Sequence, residues 1–174
     1  MRRRAWLKCA ALCFWTSGCG APPPVLGPEL TSDIPPGVYS GEVTSYTRAQ
    51  RDDNPAEEET TTTTESLVVD SSGMPLLNGR RPRQNLVIDD SVGGFSGRIT
   101  ITAVNVFPSQ VVIDAKYDVR LGEGVTLVAT ARETYEFAEP DTLRYEFQLT
   151  GAATNPDVTS ILTMLWTSEG VFER

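Results

Sequence analysis

The sequence has no histidine. That removes imidazole metal sites, the serine–histidine triad and the commonest general base. Cysteine stops at Cys19, with Cys9 and Cys13 before it. Everything downstream therefore lacks a disulfide, a thiol nucleophile and a thiolate zinc site. Lysine is nearly missing too: after Lys8 only Lys116 remains. It alternates with Asp114 and Asp118, which suits a solvated ion pair better than a catalytic base. No phosphate-binding loop is present, and the glycines of "SVGGFSG" read as a turn. Acidic clusters at Asp52-Asp53, Glu57-Glu58-Glu59 and Asp89-Asp90 lack the alternating spacing of a calcium loop. The expectation is a non-enzyme with no metal and no cofactor.

Positive charge is also scarce. Fifteen Lys and Arg face 23 Asp and Glu, for a net charge of −8. Four of the basic residues, Arg2, Arg3, Arg4 and Lys8, fall in the first eight positions, and no acidic residue precedes Glu29. Loss of residues 1–18 would take the net charge from −8 to near −12. Such a body repels phosphate backbones, so nucleic acid is not an expected partner. Long apolar runs are absent as well. "CAALCFW", residues 9–15, is too short for a membrane-spanning helix, which needs about 20 residues.

What is present at the N-terminus is an address. A basic "MRRRAWLK", the short apolar core and the small residues of "TSGCGA" follow the order of a secretory signal peptide. Residues 1–18 are assigned to it. Thr16-Ser17-Gly18-Cys19 resembles a bacterial lipobox, with Thr16 standing where leucine is usual. The resemblance implies lipid attachment on Cys19, and two acyl chains suffice for stable anchoring. Plain secretion with a stray thiol is the alternative. Arg3-Arg4-Ala5-Trp6-Leu7-Lys8 resembles a twin-arginine export signal; a generic basic region is the other reading. Either route leads to the cell envelope or beyond it. Residues 19–37 carry six prolines and read as a semi-extended tether between anchor and body.

From residue 38 to 174 the pattern alternates with period two, broken by frequent turn signals. One all-β domain of about eight or nine antiparallel strands is expected. Three hairpins have arguable registers. A three-residue turn at Gly122-Glu123-Gly124 pairs Val119 with Leu127, Tyr117 with Ala129 and Asp114 with Arg132. The turn at residues 139–142 brings Phe137 to Leu143 and Tyr135 to Tyr145. A three-residue turn at Pro108-Ser109-Gln110 places Ile101 by Tyr117 and Ile99 by Val119. These strands share one apolar face, which must be covered. A meander closing into a small barrel is the first expectation, and a two-sheet sandwich the second. Residues 156–168 carry both helical spacing and strand-forming residue types. The strand reading is preferred because a barrel needs its last strand to meet its first.

Polar residues on the apolar face are the sharpest anomaly. Glu133 is in phase with Ala131 and Tyr135, and Asn105 with Ala103 and Phe107. A buried carboxylate needs a partner, a proton or water. Asn105, Glu133, Tyr117, Tyr135, Tyr145 and Trp166 are therefore candidate cavity residues. Arg80, Arg81 and Arg83 form a basic cluster that could face an anionic partner or keep an edge strand from pairing. The architecture is similar to lipocalins and other calycins, although Gly37-Val38-Tyr39 stands where their G-x-W motif would be. That likeness implies only that a barrel could enclose an apolar molecule. The function expected is a lipid-anchored envelope domain with a structural or protein-binding role. The alternative is a carrier of a small apolar or amphipathic ligand.

Overall fold

A computed structural model describes residues 30–174, apart from 53, 93–94, 121–123, 139–140 and 156–157. The signal segment, Cys19 and the first part of the proline-rich stretch lie outside the described residues. The body is all-β, with eight antiparallel strands: β1 (Gly37–Arg51), β2 (Glu57–Val69), β3 (Val87–Val92), β4 (Phe95–Phe107), β5 (Gln110–Arg120), β6 (Thr126–Ala138), β7 (Thr142–Asn155) and β8 (Val158–Glu173). All belong to one sheet in the order β2-β1-β8-β7-β6-β5-β4-β3. The ambiguous final segment is strand from Val158 onward. It pairs with β1 from Ser40↔Glu173 to Arg51↔Leu162.

Two of the expected registers are found as read. Tyr117 opposes Ala129, Val119 opposes Leu127, and Asp114 opposes Arg132. The last pair carries the expected cross-strand ion bridge, at 2.7 Å. Phe137 meets Leu143, and Tyr135 meets Tyr145. Inward residues of β5 and β6 (Val111, Ile113, Ala115, Leu127, Ala129, Ala131) are buried as the alternation requires.

The β4–β5 hairpin differs. Phe107 pairs with Gln110 and Val106 with Val111, so the turn has two residues rather than three. The register then shifts between Ile101 and Ala103. A bulge at Thr102 inserts one residue and reverses which parity faces inward. Ile99 therefore opposes Tyr117, and Ile101 opposes Ala115. Beyond the bulge Val104 and Val106 pack against the core, while Asn105 and Phe107 are exposed.

No hydrogen-bonded ladder joins β2 to β3 among the described residues. The segment between them runs along that seam. Leu76 N donates to Val68 O on the β2 side. Asn85 N donates to Ile101 O and Ile101 N to Leu86 O on the β4 side. Midway, Leu77 and Arg80 flank a tight turn in which Asn78 and Gly79 both have positive φ, 48° and 69°. Asn-Gly is the pair best suited to that turn.

The end of the proline-rich stretch is docked on the body. Ser32 N donates to Ser72 O, and its hydroxyl donates to Gly73 O at 2.6 Å. Asp33 N donates to Pro108 O in the β4–β5 turn. Between them Ile34 is 2% exposed, and Tyr39 Oη donates to Pro35 O at 2.8 Å. Residues 32–35 thus bridge two turns across one end of the sheet. Met74, Tyr39, Leu67 and Leu143 are fully buried near that end.

Candidate functional site

Side chains from all eight strands line one cavity of about 70 Å³. Only a strongly curled sheet can bring its first and last members to a common space. Within the β5–β6 ladder Glu133 pairs with Ile113, four residues from Tyr117, yet the Tyr117 hydroxyl reaches the Glu133 carboxylate. Such diagonal contacts are what tilted strands produce in a rolled sheet.

Small residues flank the tyrosines. Ala129 and Ala131 are buried beside Tyr117 and Glu133. Gly151 lies opposite Ala129, and a Cβ there would collide with the Ala129 methyl group. Larger residues in this stretch would fill the space that the tyrosine rings and the cavity share.

Glu133 is the centre of the polar lining. Tyr135 Oη donates to Glu133 Oε2 at 2.6 Å, and Tyr117 supplies a second hydroxyl. Burial raises the Glu133 carboxyl above its ordinary value of 4.5, and the two tyrosine hydrogen bonds pull it back down. Burial also pushes Tyr117, Tyr135 and Tyr145 well above 10.0, with the Glu133 charge acting in the same direction. Burial first, and the Glu133 charge second, keep all three phenols protonated and able to donate. Tyr135 stacks obliquely on Tyr145, with ring centroids 5.3 Å apart. Tyr145 meets Phe172 edge-on at 6.1 Å.

The rest of the lining comes from β1, β2, β3, β4, β7, β8 and the seam segment. Ser45 and Ser168 are buried and share a hydrogen bond at 2.8 Å. Phe147 and Trp166 pack edge to face at 5.1 Å. Glu65 of β2 adds a second carboxylate to the lining, to which Asn78 of the seam turn also contributes. Val43, Leu77, Ile88 and Ile99 complete the apolar part.

The sequence-predicted residues divide as follows. Glu133, Tyr117, Tyr145 and Trp166 line the cavity together. Tyr135 lies just beneath it, 1% exposed, as a donor to Glu133. Asn105 does not belong: it pairs with Val112 and is exposed, because the Thr102 bulge turns it outward. Glu65, Ser45, Ser168 and Asn78 were missed. Of the basic cluster Arg80, Arg81 and Arg83, Arg81 is engaged within the fold. Arg81 bridges Asp70 at 3.5 Å and donates to Leu30 O at 2.5 Å, tying the seam segment to the stretch that precedes β1. Cys19 lies outside the described residues. Among the described residues no cluster of His, Cys, Asp or Glu is placed to hold a metal, and no helix is long and apolar enough to cross a membrane. Comparison with protein families, curated proteins and solved structures finds no match to this chain.

Proposed function

We propose that this chain is an exported, lipid-anchored β-domain whose body rolls into a small barrel and holds a small amphipathic ligand inside. The cavity to which all eight strands contribute carries this reading. Its lining mixes aromatic and aliphatic walls with a few fixed polar groups, the usual composition of a small-molecule site. On this reading the seam segment and the strap of residues 32–35 take the place of a closing β2–β3 ladder. A purely structural or protein-binding role has less support. An interior that served only to fill itself would have no reason to leave space beside a carboxylate.

The indole of Trp166 reports on the site directly, because it lines the cavity. Titrating the mature protein with short-chain amphiphiles is expected to shift and quench its emission. Mass spectrometry of the freshly purified protein is expected to find a co-purifying small molecule. Unchanged emission together with no bound molecule would remove the ligand-binding reading.

The anchor has its own test. Mass analysis of the mature N-terminal peptide is expected to start at Cys19 and to carry a thioether-linked diacylglycerol. A free thiol at that position, or cleavage elsewhere, would replace anchoring with plain secretion.

A further inference from the structure

We propose that the cavity receives the positively charged head of an organic ammonium compound, with alkyl groups on the nitrogen. This rests on the ligand-binding reading above and names the chemistry of the ligand. The lining holds two carboxylates, Glu133 from β6 and Glu65 from β2, and among the described residues no lysine or arginine. An anionic head would face two carboxylates there with no cationic side chain to offset them. Four rings share the same lining: Tyr117, Tyr145, Phe147 and Trp166. Aromatic faces attract cations that approach within about 6 Å of the ring centre, most strongly where water is excluded.

The carboxylate at the centre is preorganised. Tyr135 and Tyr117 hold Glu133 by their hydroxyls. An ionised carboxylate has about four acceptor sites, so two remain for a cation. Alkylation of the nitrogen follows from the rest of the wall. Val43, Ile88 and Ile99 offer methyl-sized apolar contacts, which suit N-methyl groups better than a fully hydrated primary ammonium. Size sets a further limit. At about 70 Å³ the space is about half that of the ~150 Å³ engineered cavity that binds benzene. It takes a compact head, with any longer chain leaving through the mouth. The net charge of −8 raises the local concentration of such cations around the protein.

The ammonium group could come from a free small molecule or from a lipid headgroup. The test is calorimetric titration of the exported protein with three probes. They are choline, its uncharged carbon isostere (a tert-butyl group replacing trimethylammonium), and a short-chain phosphatidylcholine below its micellar concentration. Choline is expected to bind about tenfold or more tightly than the isostere, the difference that desolvated cation–π and charge contacts supply. Glu133→Gln and Glu65→Gln are each expected to shrink that ratio severalfold. Glu65 lies on an outer strand of the sheet and is partly exposed, so its variant keeps the test readable even if Glu133→Gln fails to fold. Phosphatidylcholine binding more tightly than choline assigns the head to a lipid; weaker binding assigns it to a free molecule. Equal binding of choline and the isostere overturns the cation assignment and leaves the ligand site standing. A ratio that survives both substitutions overturns the role given to the carboxylates. Absence of binding by choline and isostere alike, with unchanged Trp166 emission, overturns this proposal and the reading beneath it.

Discussion

Gly41→Ala is expected to cost about 3 kcal/mol or more, at the upper end of what overpacking does. In a domain of this size that lowers the melting temperature by on the order of 10 °C. The reason is a close approach of two strands. Gly41 sits opposite Phe172 of β8 on one side and Glu65 of β2 on the other. A Cβ at this position would run into the Val171 carbonyl oxygen and come within 2.8 Å of Phe172 Cα. Those atoms are backbone, so no side chain can swing aside. Relief requires β1 and β8 to separate, which breaks the ladder joining the two ends of the meander. Gly79→Ala is the control. Gly79 has φ +69° but nothing within 4 Å of an added Cβ, so only the left-handed conformation opposes alanine, at about 1–2 kcal/mol. Thermal and chemical denaturation of both variants would compare the two effects. A Gly41→Ala protein no less stable than Gly79→Ala would mean that β1 and β8 do not meet as described.

The second large effect is alkaline unfolding. Tyr117, Tyr135 and Tyr145 are each raised well above 10.0 by burial, and then by the nearby Glu133 charge. A raised folded-state value means that the native protein keeps protons the unfolded chain releases. The stability from these three groups is complete below pH 10.0 and is lost as pH rises beyond it. Each unit of displacement is worth about 1.4 kcal/mol, and three groups act together. Glu133 has the same sign in the acid range: its contribution is complete below pH 4.5 and falls as pH rises. Tyrosinate absorbance and circular dichroism, followed together, are expected to show these phenols ionising in one cooperative step with loss of the sheet. Three tyrosines titrating reversibly near pH 10 in an intact protein would contradict their burial.

Why some features were legible in the sequence is clear from single residues. Along β5 and β6 one parity is predominantly apolar, with Val112 and Val128 the chief exceptions on the other, so a one-residue slip would have exposed Ile113, Tyr117 and Leu127 together. Their register followed from that cost. In β4 both parities beyond Ile101 offer apolar side chains: Ala103 and Phe107 on one, Val104 and Val106 on the other. Nothing in the pattern penalises the bulge at Thr102, and Asn105 was assigned inward as a result. The site shows the same contrast. Glu133 interrupts an apolar face and is conspicuous. Glu65 stands in "TTTTTESLVVD", where its neighbours are polar on both faces and the parity is hidden until Leu67 and Val69. Ser45 and Ser168 escape notice for another reason. Each satisfies the other across a ladder between strands 123 residues apart, a pairing that local spacing cannot reveal.

That same ladder governs how the chain reaches its native state. The β4–β5, β5–β6 and β6–β7 hairpins close short loops and form early. Joining β1 to β8 must bring together the ends of a long segment, and that entropy is spent before the contact returns anything. Folding is therefore expected to be slow for a chain of this length, with the meeting of the first and last strands its final event. Until it happens, both strands carry bare edges that other chains can capture, which makes the interval before they meet the time of greatest aggregation risk.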